Sequence, residues 1–360
     1  MAEITASMVK ELREMTGAGM MDCKKALNET NGDMAAAVDV LKKSGAAKAE
    51  KKASRIAAEG IAKVAISGNT AVVVEVNSET DFVAKNEVFQ EFVQSVADQA
   101  LASNLTGGVD GEEVDALLEA NDLKSVLVEK TAKIGEKLSV RRFAKISGDA
   151  VVSYVHGGGR IGVLVAANGA SSDADKEALS NVAMQIAAMN PQYISRADIS
   201  AEEIDKLREI TIDSALNDPA SLPKPLLQKL IDKAVNDAAW SAEDIAIYEE
   251  KKSNMNYLFN FLSGEAKNTL VQFAFADKDA IVSDKIFSGL VEGRISKQVK
   301  EISLLEQTYV KAEDGKQTVA QYLSSVNKEL VLSKMVRFEV GEGMEKKNED
   351  FAAEVAAQLG

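Results

Sequence analysis

The feature that most constrains the fold is a weak internal repeat. In its first copy, Ile61 to Ser67 reads as a strand, Gly68-Asn69 as a hairpin turn and Ala71 to Asn77 as a second strand. A helix follows, carrying Phe89, Phe92, Val93, Val96 and Ala97. In the second copy, Val151 to His156 is a strand, Gly157-Gly158-Gly159 the turn and Ile161 to Ala167 a strand. Its helix carries Leu179, Val182, Ala183, Ile186 and Ala187. Both sets follow the spacing i, i+3, i+4, i+7, i+8, which gathers one apolar face on a helix. Each copy ends in a similar strand, Val140-Arg141-Arg142-Phe143 in one and Met335-Val336-Arg337-Phe338 in the other. The predicted class is α+β, with two related subdomains, each a small antiparallel sheet packed on helices.

The second copy is interrupted between its helix and its last strand, over about residues 190–333. This tract reads as helical: Ile204, Leu207 and Ile210, then Leu226, Leu227, Leu230 and Ile231, then Leu258, Phe261 and Leu262, punctuated by Pro223 and Pro225. An insertion between packed elements must leave and return to one place, so a projecting helical hairpin or small helical lobe is expected. Ahead of the repeat, three short helices are predicted. Ile4, Met8, Leu12 and Met15 make one apolar face, Met20, Cys23 and Leu27 a second, and Met34, Val38 and Leu41 a third, with Asp33 placed to cap the last. From Lys42 to Gly60 the chain is rich in Lys and Ala and lacks interleaved aromatics, so it reads as a partly helical, solvated connector rather than a nucleic-acid patch. A short C-terminal helix is expected from Asp350 to Leu359, with Phe351 and Val355 on one side. The expected organisation is therefore an N-terminal module and linker over 1–54, core subdomains over 55–147 and 148–345, and a C-terminal helical module over 346–360.

Composition narrows the function. A chain of 360 residues with 46% hydrophobic and 27% charged residues is expected to be globular. Its net charge of -14 disfavours nonspecific nucleic-acid binding. One cysteine, Cys23, permits no internal disulfide, which fits a reducing compartment. The start Met1-Ala2-Glu3-Ile4-Thr5 has no basic region followed by an apolar run, and no stretch reaches the ~20 apolar residues a bilayer needs. A cytoplasmic protein without membrane or nucleic-acid partners is expected. His156 is the only histidine, so no site needing two can exist. It ends a strand beside a glycine turn and reads as a hairpin-edge polar residue or an interface contact. Gly17-Ala18-Gly19 follows no strand, and Gly157 to Gly159 leads into a strand rather than a helix, so neither is a nucleotide-phosphate loop. No catalytic constellation, metal site or cofactor is expected.

What remains is an interaction protein. Its sharpest feature is Glu79-Thr80-Asp81-Phe82-Val83-Ala84-Lys85-Asn86, a strand–helix junction that sets a large ring beside a carboxylate. Such a junction is a good place to present a ring to a partner. The alternative is that Asp81 caps the following helix while Phe82 packs on Phe89 or on the sheet.

The segment from Leu12 to Leu27, with Thr16-Gly17-Ala18-Gly19-Met20-Met21-Asp22 at its centre, closely resembles the N-terminal signature of the translation elongation factor Ts family. Thr80-Asp81-Phe82-Val83-Ala84-Lys85-Asn86 resembles the second signature. Ile134-Gly135-Glu136-Lys137, Val155-His156-Gly157-Gly158 and Arg337-Phe338-Glu339-Val340-Gly341-Glu342-Gly343 resemble further blocks of that family, in the same order. The resemblance runs nearly end to end. It implies a ubiquitin-associated-like N-terminal module, a two-part core, a coiled-coil-like insertion and a C-terminal module. It also implies a non-enzymatic guanine-nucleotide exchange factor for the GTPase elongation factor Tu. On that analogy Thr80, Asp81, Phe82 and Val83 form the contact that dislodges the partner's magnesium, with Phe82 inserted between helices of its nucleotide-binding domain. Arg13, Met20 and Met21 match positions that contact the same domain, Ile134 and Gly135 support the core contact, and His156 lies toward the partner's third domain. A scaffold that binds the GTPase without exchange is the competing reading. One departure stands out: Val291-Glu292-Gly293-Arg294 resembles the block that ends the family's usual projection, but an extra tract, about 225–290, precedes it.

Overall fold

In the computed structural model, which describes residues 4–345, Thr5 opens the first helix by accepting the Met8 amide. This helix, α1 (Ala6–Thr16), stops at Gly17, whose φ of 64° lies in the left-handed region that glycine enters freely. Helices α2 (Met20–Glu29) and α3 (Met34–Glu50) follow, with the Asp33 carboxylate accepting the Ala36 amide as predicted. Their small core is Val9, Leu12, Cys23, Ala26, Leu27 and Ala37. Met15 and Met20 are not part of it, being 62% and 58% exposed, which corrects the face assigned to them above. A spacing rule says which side of a helix a residue faces, not whether a neighbouring element reaches that far along it. The Lys- and Ala-rich stretch is helical as far as Glu50, because α3 runs on and packs along a later helix of the core.

The first repeat then unfolds in order: β1 (Glu59–Ser67), β2 (Thr70–Ser78), α4 (Asp81–Ala84), α5 (Glu87–Ala102), β3 (Gly107–Gly108), α6 (Val114–Glu119), α7 (Leu123–Ile134) and β4 (Ser139–Ser147). The strands lie in the order β1-β2-β4-β3, all neighbours antiparallel. Every residue of β2 from Ala71 to Ser78 is buried. Its run Val72-Val73-Val74 does not alternate because both faces of the sheet are covered. Phe89, Phe92, Val93 and Val96 of α5 cover one face together with Phe143 of β4.

The second repeat supplies β5 (Ala150–His156), β6 (Ile161–Asn168) and α8 (Asp173–Met189). The chain then forms α9 (Ala201–Asn217), α10 (Lys224–Asn236), α11 (Ala242–Lys251), α12 (Met255–Phe261), α13 (Gly264–Ala276), α14 (Lys278–Val282) and α15 (Lys285–Ile302) before α16 (Val319–Val326) and β7 (Val331–Glu339). The strand order is β5-β6-β7, antiparallel throughout. The repeat extends to detail: the pairings β2–β4 and β6–β7 each shift register once, at Glu75/Val76 and at Ala166/Ala167. The five apolar positions predicted for α8 are all buried, as are the five predicted for α5.

The two sheets pack face to face through Ala62, Val73, Ile146, Leu164, Ala166 and Phe338. One charged cluster joins them. Glu75 is fully buried and accepts from Arg141 Nη1 at 2.9 Å, Arg142 Nε at 2.5 Å, Asn77 Nδ2 at 3.1 Å and the Gly341 amide at 2.9 Å. The Arg142 guanidinium lies 4.2 Å from the centre of the Phe338 ring and reaches Glu342. A buried carboxylate is tolerated here because Oε1 is met by Arg141, the Asn77 side-chain amide and the Gly341 amide, and Oε2 by Arg142.

Residues 191–308 form a compact unit distinct from the one to which the described residues before 191 and after 308 belong. Its ends meet at a parallel bridge between Tyr193 and Ser303, so the insertion leaves and returns at one place. It is a lobe of seven α-helices with its own core, which includes Leu227, Leu230, Ile231, Leu258, Leu270 and Phe287. Ile210 and Phe261, expected on apolar faces, are exposed instead. Trp240 is buried in this lobe and donates its indole N–H to the Ala266 carbonyl at 3.1 Å. The C-terminal helix expected at 350–359 lies outside the described residues.

Candidate functional site

β2 ends at Ser78, and two residues later the chain turns into the single turn of α4. Thr80 is extended and caps α4, its hydroxyl oxygen accepting the Val83 amide at 3.4 Å. Asn86 then caps α5 through the amides of Val88 and Phe89. Two caps so close together fix the direction of α4. Val83 and Ala84 turn against the α5 core, and Phe82 points the other way, 80% exposed. Phe89 is fully buried among the core residues. The ring of Phe82 is thus presented, not stowed. Asp81 does not cap a helix. Its carboxylate pairs with Lys85 Nζ at 2.7 Å, and that bond holds its pKa below the ordinary value.

The loop is fastened from behind. Glu136 accepts the Glu79 amide at 3.1 Å, the Thr80 amide at 3.0 Å and the Thr80 hydroxyl at 2.7 Å. In return Glu79 accepts the Lys137 amide at 2.6 Å and pairs with Arg55. Immediately before Glu136, α7 terminates at Gly135 with φ 89°. Ile134 is half-buried against the α5 core and Gly135 is exposed. Fold and hydrogen bonds therefore bring Thr80 to Val83 and Ile134-Gly135 together, although more than fifty residues separate them.

The same end of α7 meets the N-terminal module. A Cβ added at Gly17 would sit 2.9 Å from Lys133 Nζ, so the α1–α2 turn rests against the residue just before Ile134. Around that turn Arg13 is exposed, and Met20 and Met21 are 58% and 78% exposed. Met20, Met21 and Phe82 are thus large apolar side chains that the fold itself leaves uncovered. His156 stands apart on the β5–β6 hairpin, exposed, with Nδ1 3.1 Å from the Tyr154 hydroxyl. Among the described residues, no helix is long and apolar enough to cross a membrane.

The family described as Elongation factor TS matches residues 79–342 of this chain. Elongation factor Ts of Clostridioides difficile (strain 630) is 43% identical over 370 residues, covering 100% of both chains. The chain belongs to the elongation factor Ts family. The match to the family begins at Glu79, inside the fastened loop, and ends at Glu342, inside the charged cluster that joins the sheets. Glu136 stands in the sequence only as a member of the Ile134–Lys137 block, with no role assigned to it. The one local clue is that a carboxylate at a helix C-terminus faces the negative end of the dipole, so something else must hold it there.

Proposed function

We propose that this chain is a guanine-nucleotide exchange factor that binds elongation factor Tu·GDP and promotes GDP release. It makes and breaks no covalent bond and acts in the cytoplasm. The observation that carries this reading is the exposure of Phe82 on a turn capped by Thr80, in a chain of the elongation factor Ts family. Burying that ring between helices of the GTPase yields roughly 1.5–3 kcal/mol, available only in the complex. Magnesium requires near-octahedral geometry, so a small displacement of its ligands by Phe82, with Asp81 beside it, weakens the hold on metal and phosphates together. Linkage does the rest: a factor that weakens GDP binding is itself bound less well by the GDP form. Thr80 and Val83 set the pose of the ring. Arg13, Met20 and Met21 extend the contact on the N-terminal module, Ile134 and Gly135 flank it on the core, and His156 reaches another part of the partner.

The test is the release rate of a fluorescent GDP from elongation factor Tu, with this protein and with Phe82→Ala. Strong acceleration that the substitution largely abolishes is expected. Acceleration that survives the substitution removes the wedge but keeps the exchange role. Tight binding with no acceleration replaces the proposal by a scaffold.

A further inference from the structure

Helix α4 is four residues long and has no fully buried side chain. A single turn does not recover its own nucleation cost, so its order must come from outside. We infer that Glu136 is the positioning residue that presents Phe82, acting through Thr80. Its Oε2 takes the amides of Glu79 and Thr80, and its Oε1 takes the Thr80 hydroxyl proton at 2.7 Å. With that proton committed, the Thr80 oxygen turns its lone pairs toward the Val83 amide and caps α4. Glu79 completes the arrangement in the opposite direction by accepting the Lys137 amide. The two loops are thus locked by exchanged carboxylate–amide bonds. Lys137 also donates from Nζ to the Arg55 carbonyl, which ties in the chain just ahead of β1. The clamp sets the ring of Phe82 and the end of α7 as one rigid piece, and geometry held by a clamp is what a wedge needs.

The inference rests on the exchange reading for its consequence but not for its geometry, and two measurements separate them. In the free protein, hydrogen–deuterium exchange of the peptide covering 79–86 is compared between wild type, Glu136→Gln and Glu136→Ala. Loss of the clamp opens α4, so exchange in Glu136→Ala is expected to rise about tenfold in that peptide alone. Glu136→Gln keeps an amide-accepting oxygen but cannot accept the Thr80 proton on its nitrogen, so it falls between. In the second measurement, GDP release from elongation factor Tu is followed for Glu136→Ala, Phe82→Ala and the double variant. Glu136→Ala is expected to lose about tenfold in stimulated release, and to lose little further in the Phe82→Ala background, because the two act through one element. Equal losses in both backgrounds overturn the inference, since Glu136 then acts elsewhere. Unchanged exchange of the 79–86 peptide overturns it too. If wild type does not stimulate release, the exchange reading falls, and the free-protein measurement still decides whether Glu136 orders α4.

Discussion

Phe82 and Glu75 mark opposite ends of what one side chain does here. Phe82 is so exposed that its own fold barely uses it. Phe82→Ala should leave the melting temperature unchanged while removing stimulated GDP release, because surface substitutions away from special features stay within about 0.5 kcal/mol. Glu75 is buried between two arginines and an amide. Glu75→Ala strands those cations and should cost about 3–5 kcal/mol, read from denaturant unfolding followed by far-UV circular dichroism. Sequence alone placed Phe82 at a junction but left two fates open, packing on Phe89 or facing out. What decides between them is the pair of caps at Thr80 and Asn86, whose combined direction no spacing rule encodes. Glu136 was less legible still, because its partners lie 56 and 57 residues away. Met15 and Met20 were assigned to apolar faces and prove exposed, since burial depends on what arrives from elsewhere in the chain.

At the scale of elements, the helices that cover sheets were the most legible. The apolar stripes of α5 and α8 are wide and repeat with one spacing, so the five positions read on each are all buried. The hairpin strands were found one or two residues short at their ends, and the closing strand of each copy four residues short at one end, where the ladder continues past the last apolar residue. The third helix was underestimated because its second half has few large apolar residues and takes its support from α7. Helix α9 shows how a terminus sets acid sensitivity. The Tyr193 hydroxyl, then Ser200, hydrogen-bond Glu203 and pull its pKa from 4.5 to about 2. A carboxylate whose folded pKa is depressed stabilises the fold fully above its unfolded value, and that contribution fades as pH falls through the window between the two. Glu203→Gln should therefore melt below wild type at pH 7, with the gap closing between about pH 4.5 and 2. Melts followed by Trp240 fluorescence check this, because Trp240 belongs to the same lobe as Glu203.

For the whole molecule, the division into two units has a direct experimental handle. Trp240 is the only tryptophan and lies in the unit of residues 191–308. Phe287 is fully buried in that unit's core, so Phe287→Ala should destabilise it by about 3–5 kcal/mol. The expected result is an earlier loss of tryptophan fluorescence, with the circular dichroism of the sheets retained to higher denaturant; a single shared transition would show the units unfold together. The sequence marked the insertion as helical through its leucine spacing and its prolines. Its subdivision into seven helices with a common core was not legible, because short amphipathic segments do not say which of them pack together. One further consequence belongs to the order of synthesis. Strand β6 is the centre of the second sheet, yet its partner β7 pairs Asn168 with Val331, on the far side of the whole insertion. While a ribosome works through that stretch, the nascent chain carries a β5–β6 hairpin with a bare hydrogen-bonding edge, a ready template for unwanted pairing. A lobe that folded as it emerged would shorten the delay in which that edge stays sticky, since its two ends meet at the Tyr193–Ser303 bridge.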